Sequence, residues 1–243
     1  QLALSLVDPV VLLRIMTECV VSQLARVRQC AMALVGDVIC VTPKFLGMFS
    51  QQLLPAMIGN LDPRNPNLCS NAAWAVGEAA IRMSRRAFSP YVDVVMRKLI
   101  PVIVDWRLDR NLLHNAAITI SRLGLVCPDE VAVHLNHFAR QWCFHLVGID
   151  MEREAEMAYR GLCNVVSKRP QAMLSPSRTG PAFANMCDAI AAYENPSKEL
   201  HRAMHSLLHG FKHMLHQRWN QLYMCCNPEL RFHLGRMYDL RLA

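Results

Sequence analysis

Apolar residues recur every three to four positions along almost the whole chain, and no segment alternates between apolar and polar residues in the manner of a strand. Polar or proline-containing breaks separate the apolar segments, at 62–66, 107–110 and 150–153 among others. The sequence therefore predicts an all-α chain. Three pairs, Asp8-Pro9, Thr42-Pro43 and Ser89-Pro90, are typical of an N-cap followed by the first residue of a helix.

The helices carry an internal repeat. Five of them contain an alanine followed four residues later by a branched aliphatic residue, and successive alanines are 41, 44, 42 and 45 positions apart. This period is typical of HEAT or armadillo repeats, in which antiparallel helix pairs stack into a superhelix. We therefore predict an all-α HEAT-repeat solenoid of about five to six antiparallel helix pairs, with these alanines buried. The pairs are Ala31–Val35, Ala72–Val76, Ala116–Ile120, Ala158–Leu162 and Ala203–Leu207.

The repeat period divides residues 1–243 into a single array. The approximate repeat boundaries are 8–41, 43–84, 89–126, 128–168 and 171–216, followed by a capping segment over 217–243. The stretch LSPSRTGPAFA at 174–184 contains serine, proline and glycine where a helix is expected. It is predicted to be a loop or a local insertion in the fifth repeat.

Trp74 lies on the face of its helix that points away from the repeating alanine. At 100° per residue, the positions one before and two and six after each alanine fall nearly opposite it. In the second helix of a HEAT pair, that face lines the concave surface. We therefore predict that Trp74 and Ile118 form an apolar patch in the concavity, where an aromatic residue can anchor a partner. The alternative is that a neighbouring repeat, a bent first helix or a long loop covers Trp74. The other positions of this face are Asn71, Glu78, Asn115 and Arg122.

Composition narrows the functional classes. The formal net charge of +7 permits an acidic partner without requiring one. No apolar stretch is long enough to span a bilayer, so no membrane association is predicted. The ten cysteines are scattered through helical segments with no CxxC pair, which favours reduced thiols. The chain starts with Gln1 instead of methionine, so we interpret it as a fragment.

Several segments resemble, in order, the transportins, which are import receptors of the karyopherin-β family. They are VRQCAMALVGD at 27–37, CSNAAWAVGE at 69–78, NAAITISRLGLVCPDEVA at 115–132, AYRGLC at 158–163 and LLHGFK at 207–212. The resemblance covers nearly the whole chain and corresponds to about the last quarter of such a receptor. It implies nuclear import, with cargo recognised through an extended signal that combines a hydrophobic or basic epitope with a proline–tyrosine motif.

The resemblance also implies a cargo site. Trp74 matches the tryptophan that receives the hydrophobic epitope, Ile118 matches its apolar companion, and Asp37 matches an acidic residue on the same surface. Together with their neighbours on the inner face, the predicted cargo-binding residues are Trp74, Ile118, Asp37, Asn71, Glu78, Ser70 and Asn115. The pocket for the proline–tyrosine dipeptide and the face for the small GTPase Ran are expected upstream.

The resemblance implies partners and a location. The expected partners are cargo proteins with a nuclear localisation signal and, through the full-length receptor, Ran and nucleoporins. The expected location is the cytoplasm and the nucleus, with passage through the nuclear pore. The inner face is predicted to change from acidic to basic, so basic cargo segments are favoured near the first two repeats. Its successive residues are Asp37, Glu78, Arg122, Asn164 and His209.

Other chemistry is weakly indicated. His201, His205, His209 and His213 recur every four residues and could in principle share a metal, but a solvated polar face is the favoured interpretation. We predict no resident cofactor and no metal. No phosphate loop, nucleophile elbow or paired-carboxylate cluster is present, so no enzymatic activity is predicted. Two alternatives to an import receptor are a HEAT scaffold of the phosphatase type and a basic solenoid that binds nucleic acid, although no direct nucleic-acid binding is expected beside Asp37 and Glu78.

Overall fold

The computed structural model describes residues 8–42, 44–174 and 181–240, and every regular element within these ranges is helical. The predicted all-α repeat fold is confirmed. Short 3-10 turns occupy Leu135–His137, Pro170–Leu174 and His216–Arg218. The α-helices are α1 (Pro9–Val20), α2 (Ala25–Val41), α3 (Lys44–Gly59), α4 (Pro66–Arg82), α5 (Arg85–Val104), α6 (Arg110–Val126), α7 (Pro128–Ala132), α8 (Ala139–Leu146), α9 (Glu152–Lys168), α10 (Ala182–Ala192), α11 (Lys198–Leu215), α12 (Trp219–Tyr223) and α13 (Pro228–Tyr238).

The predicted helix starts have three different outcomes. Asp8 caps α1, because its Oδ1 accepts the backbone N–H of Val10 at 2.8 Å. Pro43 lies outside the described residues. The predicted start at Ser89-Pro90 is wrong. Helix α5 begins at Arg85, five residues earlier, because the Ser84 hydroxyl accepts the N–H of Ala87 and the added residues bury Phe88 completely.

The first compact unit ends at Cys127, and its described residues form three helix pairs. The first helix of each pair contacts its second helix, and the second helix α4 also contacts the second helices α2 and α6. Ala31, Ala72 and Ala116 are buried in this stack, as predicted. Gly77 allows α6 to approach α4 closely, because a β-carbon there would lie 3.1 Å from the Thr119 hydroxyl and from Cδ of Arg122. Small residues therefore set the spacing of the stacked helices.

The second unit begins at Pro128. Helices α7 and α8 contact α9, α9 contacts α11, and α10 contacts both α8 and α13. Aromatic side chains fill its core. The Phe183 ring of α10 lies 5.1 Å from the Phe211 ring of α11 and 6.0 Å from Trp219, centroid to centroid. These contacts join α10 and α11 to the short helix α12.

Two sequence predictions concern the second unit. Ala158 is buried, whereas Ala203 is only half-buried, because it lines an open groove between α9 and α11. Most of the predicted loop at 174–184 lies outside the described residues, and α10 begins at Ala182. The repeat boundaries themselves stay a prediction. In the part of the chain that the structure describes, none of the helices has the length and apolarity needed to cross a membrane.

Candidate functional site

A narrow strip of α4 remains uncovered by its neighbours. Helices α2, α3 and α6 surround α4 and bury most of its surface. Trp74 lies in the remaining strip together with Ser70 and Asn71, and all three side chains are half-buried. A large aromatic residue on such a strip can present apolar surface to a partner without leaving the packed structure.

The indole of Trp74 lies against α2, the second helix of the preceding helix pair. Gly36 of α2 is buried, and a β-carbon built on it would lie 2.0 Å from Cζ3 of the Trp74 ring and 2.4 Å from Cε3. The benzo edge of the indole therefore occupies the space that any other residue at position 36 would fill. Asp37, the next residue of α2, is exposed.

Three polar side chains of the predicted cargo site form contacts between the stacked helices. Asn71 donates its amide N–H to the Gln29 carbonyl at 3.1 Å, which joins α4 to α2. Asn115 donates to the Ser70 hydroxyl at 2.8 Å, which joins α6 to α4. The structure thus brings Ser70 and Asn115 together, and one amide N–H of each asparagine is already bonded within the fold.

Glu78 is the centre of a buried charged cluster, which corrects its predicted position on an open face. Its Oε1 accepts a hydrogen bond from Nη2 of Arg122 at 2.6 Å, and its Oε2 pairs with Nη1 of Arg82. The Glu78 side chain is 6% exposed and that of Arg122 is 2% exposed. One carboxylate thus faces two guanidinium groups, so Glu78 presents no unbalanced negative charge to a basic segment.

A thiol completes this cluster. Cys40 of α2 donates its S–H to Oε2 of Glu78 at 3.0 Å. Burial, and then the hydrogen bond to the Glu78 carboxylate, raises the pKa of Cys40 to about 11. Cys40 therefore stays protonated at neutral pH and acts as a neutral donor that links α2 to α4.

Ile118 and Arg122 also do not lie on an open face, which corrects the second part of the predicted patch. Ile118 is only 6% exposed. The prediction was wrong because a single packed face on each second helix does not describe α6. In the structure α6 packs against both α5 and α4, so its buried arc is wider. Trp74 thus supplies most of the accessible apolar surface of the predicted pair.

The predicted gradient along the inner face is wrong for the two residues that pair with each other. Glu78 and Arg122 neutralise part of each other's charge instead of marking acidic and basic regions. In the second unit, Asn164 is exposed. His209 is half-buried, and its Nε2 lies 2.8 Å from the Tyr238 carbonyl oxygen, which accepts its hydrogen bond. Asp37 is the member of this set whose carboxylate is exposed.

The histidine stripe, which consists of His201, His205, His209 and His213, is only in part the solvated face that we favoured. His213 is exposed, whereas the other three are half-buried, and His201 and His209 contact α13. His201 stacks on the Tyr238 ring at 4.8 Å, and its Nε2 lies 3.1 Å from the Met237 carbonyl oxygen. His205 stacks on His209 at 4.1 Å. Within the described residues, no three His, Cys, Asp or Glu side chains are arranged to hold a metal ion.

Two features of the surroundings of Trp74 were not predicted from the sequence. One is the role of Gly36 beneath Trp74, and the other is the pairing of Arg82 and Arg122 with Glu78. The sequence contained a signal for Gly36. Glycine destabilises the interior of a helix, so a glycine inside α2 indicates that another group packs closely against it.

Curated proteins match the chain along most of its length. Human Transportin-1 is 35% identical over 84% of the chain, and Transportin-1 of Oryza sativa is 35% identical over 96%. Importin subunit beta-2 of Schizosaccharomyces pombe is 32% identical over 79% of the chain. The sequence is of the transportin type. The resemblance inferred from the quoted segments is thereby confirmed.

This transportin-type chain spans about a quarter of the length of the relatives that it matches: 22% of the human protein and 26% of the rice protein. No family model matches it. Among solved structures, a designed armadillo repeat protein superposes on 92% of the chain with a TM-score of 0.54, and the chain covers 97% of that protein. At 13% sequence identity, this likeness shows the helical-repeat fold alone.

Proposed function

We propose that this chain is the cargo-binding part of a nuclear import receptor. Trp74 receives the hydrophobic epitope of a proline–tyrosine nuclear localisation signal on the concave face of the helical array. The similarity to transportins supports the receptor class. The observation that carries the site is the position of Trp74, which keeps accessible indole surface on the uncovered strip of α4.

The charges beside Trp74 favour an apolar epitope over a basic one. Two guanidinium groups surround the single carboxylate of Glu78, which leaves an excess positive charge one helical turn from Trp74. Basic residues of the cargo therefore pair with Asp37, whose carboxylate is exposed. Positive charge beside Trp74 repels a basic cargo segment, and such repulsion contributes to specificity in addition to favourable contacts.

The receptor proposal includes further partners. The protein binds cargo in the cytoplasm, shuttles through the nuclear pore by contact with nucleoporins, and releases cargo when Ran binds. These activities belong to the longer receptor, since the relatives are about four times the length of the matched region.

Substituting Trp74 tests the proposed cargo site. In Trp74→Ala, the loss of an aromatic anchor should weaken binding of a fluorescein-labelled peptide with a hydrophobic epitope by about 1–3 kcal/mol, roughly 5- to 150-fold. Because the ring is only half-buried, the free energy of unfolding should fall by about 1–2 kcal/mol, less than the ~3–5 kcal/mol of a fully buried aromatic residue. Fluorescence anisotropy and urea denaturation measure the two effects.

The chain offers a matched control. Trp106 lies in the turn between α5 and α6 and is 82% exposed, so Trp106→Ala makes the same chemical change away from α4. It should leave peptide affinity unchanged. A Trp74→Ala protein that binds the apolar peptide as tightly as the parent would refute the site. A scaffold protein would give that result, because its partners need no contact with Trp74.

A further inference from the structure

Gly36 lies in the middle of α2, where glycine is a poor choice for helix stability. A glycine inside a helix is less favourable than alanine, because it loses more backbone freedom on folding. Position 36 is nevertheless five residues from the end of a 17-residue helix and is buried. The Trp74 ring explains this residue, because three of its carbon atoms would lie 2.0, 2.4 and 2.9 Å from a β-carbon at position 36.

Another helical glycine provides a control in which no neighbouring atom is close. Gly210 lies inside α11, and a β-carbon built there would meet no atom within 4 Å. Substituting Gly210 with alanine therefore adds a methyl group in open space. The same change at Gly36 would place the methyl group inside the indole, so either the ring or α2 must move.

We infer that Gly36 is a positioning residue for the proposed cargo site. Because Gly36 has no side chain, the indole of Trp74 can lie directly against α2. The inference rests on the proposed function for its meaning in cargo binding. The Trp74 side chain belongs to one repeat and the surface beneath it belongs to the preceding repeat. The orientation of the cargo-contacting ring is therefore set by the neighbouring helix, and any larger residue at position 36 displaces it.

Tryptophan fluorescence can isolate the ring. Of the four tryptophans, Trp142 and Trp219 are completely buried and Trp106 is exposed. In a Trp106→Phe background, emission quenched by iodide therefore reports on Trp74. Gly36→Ala should increase this quenching at least about twofold, because the displaced ring enters solvent, while Gly210→Ala should leave it unchanged.

A double-mutant cycle separates ring displacement from general damage to α2. Gly36→Ala alone should lower the melting temperature and weaken binding of the apolar peptide by about 5- to 50-fold. In a Trp74→Ala background the ring is absent, so Gly36→Ala should raise the melting temperature, since alanine is the better helix former. There it should change peptide affinity less than twofold. If Gly36→Ala fails to fold while the double variant folds, the ring clash is supported directly.

The outcomes distinguish this inference from the proposed function. Unchanged iodide quenching in Gly36→Ala, or an equal loss of melting temperature with and without Trp74, overturns the positioning role. The role is supported by increased iodide quenching together with a melting temperature that falls in the presence of Trp74 and rises in its absence. This holds regardless of the effect on peptide affinity. If those two results appear and Trp74→Ala still binds the peptide normally, the proposed cargo site fails while Gly36 remains the residue that positions the ring.

Discussion

At the scale of single residues, the buried cluster around Glu78 links three helices. Cys40 comes from α2, Glu78 and Arg82 from α4, and Arg122 from α6. A buried ion pair gains little over apolar packing, but the loss of one partner leaves the other charge uncompensated in a poorly solvated position. The cluster therefore fixes the relative positions of α2, α4 and α6 more than it adds net stability.

This view gives a prediction for Glu78→Gln. Arg122, only 2% exposed, would remain buried without the Glu78 carboxylate, so the free energy of unfolding should fall by about 3 kcal/mol. Urea denaturation followed by circular dichroism measures the change. The control is Asp93→Asn, which removes the exposed pair with Arg97 and should not move the midpoint. Similar midpoints for the two variants would show that the cluster contributes nothing to stability.

The sequence predicted part of this site and missed the rest for a physical reason. The position of Trp74 on the uncovered strip follows from the helical period alone. The pairing of Glu78 with Arg122 depends on how two helices 44 positions apart meet, and one helical wheel contains no information on that contact. The wheel therefore overestimated the exposure of Ile118, whose helix packs on two neighbours.

At the scale of helices, α11 faces the end of the C-terminal helix α13 through histidines. The Nε2 atoms of His201 and His209 bond to the carbonyl oxygens of Met237 and Tyr238. Asp239, which follows α13, has a left-handed backbone with φ of 51°. The spacing of four residues between successive histidines was visible in the sequence. Their contact with α13 was not, because the hydrogen-bond acceptors in that contact are backbone carbonyl oxygens, which any residue could supply.

We expect His205, which stacks on His209, to make the stability of the protein sensitive to acid. Burial, and then the neighbouring His209 and His201, lowers the pKa of His205 below its ordinary value of 6.5, while Asp239 opposes the shift. The folded protein therefore binds fewer protons than the unfolded chain, so the contribution of His205 to stability is complete above pH 6.5 and decreases as the pH falls below it. Melting temperatures from pH 7.5 to pH 5 measure this dependence.

Two variants test the assignment to His205. In His205→Gln the acid-dependent loss of melting temperature should be smaller than in the parent. His233→Gln changes an exposed histidine of α13 and should retain the parent's pH dependence. Equal pH profiles for His205→Gln and the parent would exclude His205 as the source.

At the scale of the whole molecule, the cysteines report on packing throughout both units. All ten are free thiols. Six are buried, Cys19 and Cys40 are half-buried, and only Cys30 and Cys225 are exposed. A thiol reacts as its thiolate, so an exposed cysteine reacts much faster than one whose pKa is raised by burial.

We predict two classes of thiol in a reaction with Ellman's reagent. Cys30 and Cys225 should react rapidly in the native protein. The buried thiols should react slowly, since burial raises the pKa of Cys69 and of Cys163 to about 12. Ten thiols should react in denaturant without reductant. Replacing Cys30 and Cys225 by serine should remove the fast phase, and a count below ten in denaturant would indicate disulfides.

The polar contacts between α2, α4 and α6 have a consequence for how the first unit folds. Asn71 bonds to Gln29, Asn115 to Ser70 and Thr119 to the Ala73 carbonyl, at separations of 42, 45 and 46 positions along the chain. The entropy of closing a loop grows with the logarithm of its length, so these separations differ by only about 0.1 kcal/mol in closure cost. Loop-closure entropy therefore favours neither the α2–α4 nor the α4–α6 interface. The side chains at each contact decide which pair of helices docks first.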